Sequence, residues 1–219
     1  MTDDLPPQSD PAPPPAPPPP TAADHLDGPD VASLLESADA ETLTSLTVDA
    51  VGAARADPSA AWLTRLDTLR ASLLLRNERR LLALCLQGLV EVALAQSRPD
   101  LAAPAARTLW GVRELLDQPW KAHQAMLLLA QAQEASDDPG AAEATLTRAL
   151  GAAQKLAPAG NVVPASAAAA RTLTQLGQLL ARQGRAAEAA EWLSGAIDLA
   201  PDDETAATAK AALAALQAR

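Results

Sequence analysis

Two aromatic residue types are missing outright. The chain has no tyrosine and no phenylalanine, and its aromatic content is four tryptophans. Isoleucine occurs once, as Ile197. β-Sheet domains draw heavily on β-branched and aromatic residues, so this composition argues against one. A single cysteine, Cys85, cannot close an internal disulfide, and it weakly favours a reducing, cytoplasmic setting. One cysteine with two scattered histidines, His25 and His123, cannot close a zinc site either. Glycine-rich phosphate loops, a nucleophile elbow and an H-E-x-x-H helix are all absent. No apolar run approaches the length of a membrane span. The start Met1-Thr2-Asp3-Asp4 is acidic where a secretory signal is basic, and no apolar region follows it.

What is present points to helices. Alanine supplies about a quarter of the chain, and Leu, Arg, Glu and Gln, all good helix formers, are common. The expected fold class is all-α. The charge is unevenly placed: of 27 acidic and 17 basic residues, eleven acidic and one basic, Arg55, fall within residues 1–60. The remainder is neutral and of mixed sign, with no net basic face for phosphate backbones, so no nucleic-acid partner is expected. Eleven of the nineteen prolines lie within residues 1–29, including the run Pro11–Pro20 broken only by alanines. Residues 1–28 therefore read as an extended, acidic, disordered tail. It would serve as a solubilising tether or as a ligand for an aromatic-lined groove on a partner.

Residues 29–76 read as two helices, a cap or a degenerate repeat. Asp39 caps the first, which runs to about Arg55 with Leu43, Leu46, Ala50, Val51 and Ala54 on one stripe. Asp57-Pro58 opens the second, which runs to about Arg76 and aligns Trp62, Leu66, Leu69 and Leu73. Near the other end, Leu173, Leu176, Gly177 and Leu180 form a helical stripe and Gly184 breaks it. Ala189, Leu193 and Ala196 then form a second stripe, and Pro201 closes the unit. Small residues on facing stripes let two antiparallel helices approach closely. Asp202-Asp203-Glu204 starts a last helix, whose face Ala206, Ala209, Leu213 and Leu216 would shield the unit before it.

The order Leu176, Gly177, Ala189, Pro201 resembles the tetratricopeptide repeat, with leucines in place of that family's aromatic residues. Leu129-Ala130 and Val92-Ala93 stand where Leu176-Gly177 stands, at intervals of 47 and 37 residues. The family's unit is about 34 residues long, and the excess of the longer interval fits a loop over residues 155–166. The resemblance implies three divergent repeats and a capping helix over residues 77–218, forming a short α-solenoid of antiparallel helix pairs.

It also implies a concave groove for a protein or peptide partner, with no cofactor, no metal and no membrane insertion. In the register of the anchor pairs, one groove row is Gln87, Gln124 and Arg171, and another is Leu94, Gln131 and Gln178. Val90, Leu127 and Thr174 fall between them, with Arg98 and Arg182 at the edge. Amide side chains both donate to and accept from an extended peptide backbone. The implied role is that of a non-enzymatic adaptor, scaffold or assembly factor. The alternatives are the peptide-sensing part of a regulatory system and, more remotely, an enzyme resting on His123 and scattered carboxylates. Trp110 and Trp192, if exposed, would anchor a partner or self-association.

Overall fold

The computed structural model describes residues 21–28, 31–156, 162–200 and 203–218. Among these residues there are eleven helices and no strand. They are α1 (Ala22–Asp27), α2 (Val31–Ser37), α3 (Ala40–Ala56), α4 (Ala60–Leu75), α5 (Arg79–Ala95) and α6 (Pro99–Leu115), followed by α7 (Pro119–Ala135), α8 (Pro139–Lys155), α9 (Val162–Arg182), α10 (Ala186–Leu199) and α11 (Asp203–Gln217). From α4 onward each helix packs on the next, and α5, α7, α9 and α11 also touch in sequence. This is the stacking of an α-solenoid, in which each pair buries its faces against its neighbours. No helix among the described residues is long and apolar enough to cross a membrane.

The middle of the solenoid follows a period that the anchor spacing does not show. Helices α5, α6, α7 and α8 are each 17 residues long. The residues with positive φ just before each of them, Asn77, Ser97, Asp117 and Asp137, are spaced 20 residues apart. Each stops the preceding helix in the same way. The amide of Ser97 donates to Leu94 O at 3.0 Å and that of Arg98 to Ala93 O at 2.8 Å, and the other three turns repeat these bonds. A left-handed residue here satisfies carbonyls that the helix end would otherwise orphan. Pro99, Pro119 and Pro139 then open the next helices at the first position, where a missing N–H costs nothing. Gly184, φ +79°, makes the corresponding turn between α9 and α10.

Two main cores share α7. Its Ala125, Leu129 and Ala132 close a core built by α1 to α6, while Met126, Leu127 and Ala130 join Leu146, Leu176, Leu180 and Ala189 in a second. At the amino-terminal end α3 packs mainly on α5, and Arg76 ties α2 down by donating to Leu35 O and Ala38 O, each at 2.7 Å. Asp39 caps α3 through Thr42 N at 2.8 Å, and the apolar stripes assigned to α3 and α4 are buried. Cys85 is a core residue whose thiol donates to Leu66 O at 3.2 Å, and burial pushes its pKa up to about 12.

Three sequence readings need correction. The tail assigned to residues 1–28 contains α1: Thr21 and Asp24 form a capping box, Leu26 is buried, and Asp27 pairs with Arg65 on α4. Residues 1–20 lie outside the described residues, as does Pro201. Helix α4 begins at Ala60 behind Ser59, two residues beyond the Asp57-Pro58 start. Helix α9 begins at Val162, inside the expected 155–166 loop, because a proline within the first helical turn interrupts no hydrogen bond there.

Candidate partner-binding groove

Helices α7, α9 and α11 enclose a concavity of about 360 Å³. Leu127 comes from α7, Arg171, Thr174, Gln175 and Gln178 from α9, and Glu204 and Thr208 from α11. A second concavity of about 230 Å³ continues it between α7, α8 and α9, where Gln131, Gln178 and Arg182 meet over Ala130, Leu146 and Leu179. The sites thus join Leu127, Gln131, Arg171, Thr174, Gln178 and Arg182 into one surface. Gln124 is exposed on α7.

The polar groups of this surface differ in how far they are already engaged. Arg182 forms a two-bond pair with Glu134, its Nη2 at 2.7 Å from Oε2, so its charge is largely answered. The Thr174 hydroxyl is already engaged, donating to Ala170 O at 2.8 Å. Gln175 Oε1 is buried with no hydrogen-bond partner among the described residues. Arg171 forms no ion pair among the described residues, and its guanidinium lies 5.8 Å from the centre of the Trp120 ring. Trp120 stacks on His123 at 6.0 Å, and His123 Nε2 lies 2.8 Å from Thr172 Oγ1. Thr172 spends its own proton on Ala168 O at 2.8 Å, so Nε2 must be the donor. Burial, with the Arg171 charge second, pushes the His123 pKa down to about 4. The imidazole is therefore a neutral strut behind the groove, 1 % exposed.

The predicted residues of α5, and Arg98 of the edge, fall elsewhere. Val90 is fully buried and can touch no partner. Leu94 packs against the first core. Gln87 is half-buried, donating to Glu91 Oε1 at 3.1 Å and accepting from Arg113 Nη2 at 3.4 Å. Arg98 pairs with Asp100 at 2.7 Å and lines a separate concavity with Leu63 and Leu101. The reason is register. Measured from the turn residues Ser97, Asp137 and Gly184, the pair equivalent to Leu129-Ala130 and Leu176-Gly177 is Leu89-Val90, three residues before Val92-Ala93. Gln87 then aligns with Leu127 and Thr174, and Glu91 with Gln131 and Gln178. Glu91, Gln175, Glu204 and Thr208 are groove candidates that the anchor register passed over. The 20-residue turn spacing would have exposed the first of them.

Among the described residues no three His, Cys, Asp or Glu side chains stand close enough to hold a metal ion. Trp192 is 37 % exposed on α10, and Trp110 is half-buried with the Arg148 guanidinium 5.4 Å from its ring centre.

Gly177 shows why α9 and α10 pair so closely. A Cβ placed there would lie 2.7 Å from Leu193 Cγ and 3.1 Å from Ala189 O, so only glycine fits. Comparison with curated proteins returns no match. A family model for the tetratricopeptide repeat matches residues 170–203. That stretch runs from within α9 through α10 to the first residue of α11. With helix pairs stacked on either side of Gly177 and Leu193, the chain carries a tetratricopeptide repeat here, set in an all-helical solenoid whose other units diverge from it.

Proposed function

We propose that this protein is a non-enzymatic adaptor that holds an extended segment of a partner protein on the surface formed by α7, α9 and α11. Tetratricopeptide repeats generally mediate protein–protein interaction, which gives the class. The observation that carries the reading is the convergence of Gln131, Gln175 and Gln178 with Arg171, which has no ion pair among the described residues, on one continuous concave surface. Each amide offers both a donor and an acceptor, which suits a peptide backbone. The buried Gln175 Oε1 lacks a donor that a peptide N–H would supply. Arg171, its guanidinium 5.8 Å from the Trp120 ring centre, is placed to receive an acidic side chain. The neutral His123 has its one ring proton committed to Thr172.

The test is proximity crosslinking in the native cell with wild type and a Gln131→Glu, Gln178→Glu variant. Partners lost only in the variant, with its helical circular dichroism intact, place the ligand in the groove. The same partners in both would overturn the groove as the binding surface.

A further inference from the structure

A different stripe of α7 faces another concavity. Between α6, α7 and α8 lies a cleft of about 710 Å³, within the range of small-molecule sites. Its apolar wall includes the Trp110 ring and the buried Met126. Its charged groups are sorted by sign: Glu114 and Asp117 at the end of α6, Arg148 and Lys155 on α8. Among the described residues none of these four forms an ion pair. Opposite charges left unpaired on two sides of one cleft make a dipolar site.

Two neutral polar groups sharpen the chemistry. His123 lines the cleft, and its buried Nδ1 has no hydrogen-bond partner among the described residues. Because Nε2 carries the ring proton, Nδ1 is a bare acceptor in want of a donor. Gln118 also lines the cleft, with its Oε1 taken by Arg113 Nη1 at 2.7 Å, so its NH₂ is the end left to donate. An acceptor and an amide donor on one wall match the N–H and C=O of a peptide group.

We propose that this cleft binds a short apolar peptide with both termini free. Its ammonium lies toward Glu114 and Asp117, its carboxylate toward Arg148 and Lys155, and an apolar side chain against Trp110 and Met126. The site is separate from the groove above and does not depend on what the groove binds.

Titration calorimetry on the full chain tests this with three probes: the dipeptide Leu-Leu, its N-acetyl form and its C-terminal amide. Leu-Leu binds saturably, and each blocked form binds at least tenfold more weakly. In an Arg148→Gln, Lys155→Gln variant the amide and the free acid bind alike. In Glu114→Gln the acetyl penalty shrinks several-fold. All three positions are exposed, so the fold is not at stake. Absence of Leu-Leu binding, equal binding of the three probes, or variants that behave as wild type would each overturn the proposal. Loss of Leu-Leu binding in the Gln131→Glu, Gln178→Glu groove variant would overturn it too, by moving the peptide to the groove.

Discussion

Residues 79–155 and residues 162–199 build the same object, a stack of antiparallel helix pairs, by different means. In the first stretch four helices of equal length are cut by turns at a fixed 20-residue spacing, each with a left-handed residue and three followed by a proline. Punctuation sets the geometry there, and leucine, valine and alanine fill the faces. In the second stretch the helices are unequal, 21 and 14 residues, and one point of close approach, Gly177 against Leu193, sets the geometry. The tetratricopeptide pattern describes close approach between small and large residues, so it matches the second stretch. The first reaches a similar stack through its turns, where that pattern has nothing to read.

If contact rather than punctuation holds α9 to α10, truncating the contact residue should cost most. Leu193 is fully buried, and Leu193→Ala is expected to lower unfolding stability by about 3 kcal/mol, read by urea denaturation. A loss below about 1 kcal/mol would mean the second stretch is also held by its turn.

The seam between the two stretches carries the next effect. His123 on α7 donates to Thr172 on α9, and its folded pKa of about 4 lies below the unfolded value of about 6.5. Between these values the unfolded chain binds more protons, so stability falls as pH drops from 6.5 towards 4 and is flat for this group above and below that window. A shift of this size corresponds to about 3 kcal/mol at the full extent, with carboxylate titration superimposed. The difference between wild type and His123→Gln isolates the histidine, and a pH-independent difference would refute the neutral, buried imidazole.

Much of this was legible in the sequence where one helix face meets one core. The stripes of α3 and α4 follow from apolar spacing, the Asp39 cap from its residue type, and the register of α7 against α9 from the resemblance that aligns Leu129-Ala130 with Leu176-Gly177. That register is why Leu127, Gln131, Arg171, Thr174 and Gln178 fall on neighbouring concavities. Helix α5 escaped because Val92 and Ala93 are as buried as the true equivalents Leu89 and Val90, so an apolar anchor pair could slide by three residues along a helix buried on several sides. Helix α1 escaped for the opposite reason. Its surroundings are acidic and proline-rich, and it is held by tertiary contacts, the buried Leu26 and the Asp27–Arg65 pair, that no local pattern announces. The motifs Ser97-Arg98-Pro99, Asp117-Gln118-Pro119 and Asp137-Asp138-Pro139 do announce the turns, once proline is read as a helix start.

Overpacking the contact in the second stretch gives a smaller effect with a distinctive signature. Gly177→Ala should cost about 2 kcal/mol, because the new methyl meets Leu193 and a backbone oxygen of α10. In a Leu193→Ala background most of that clash is removed, and the gain in helix propensity, about 1 kcal/mol, opposes what is left. Gly88 separates the two regimes, since a Cβ there would first meet side-chain atoms of Val51, the nearest at 3.0 Å, rather than backbone. Gly88→Ala should therefore be within about 1 kcal/mol of neutral. Equal penalties at the two glycines would erase the distinction between the stretches.

The smallest effect tests the punctuation itself. Ser97 holds φ +53°, a left-handed conformation that costs a non-glycine residue about 1–2 kcal/mol. Asn and Asp, which occupy the other three turns, tolerate it better through their short polar side chains. Ser97→Gly relieves that strain and loses about 0.4–1 kcal/mol through the freer unfolded chain. The net expectation is a gain of about 0.5 kcal/mol, visible as a higher denaturation midpoint at unchanged slope. The converse change, Gly184→Ser at φ +79°, should lose a similar amount. A changed slope in Ser97→Gly would mean that one turn uncouples neighbouring helices. In that case punctuation would govern the cooperativity of the first stretch as well as its geometry.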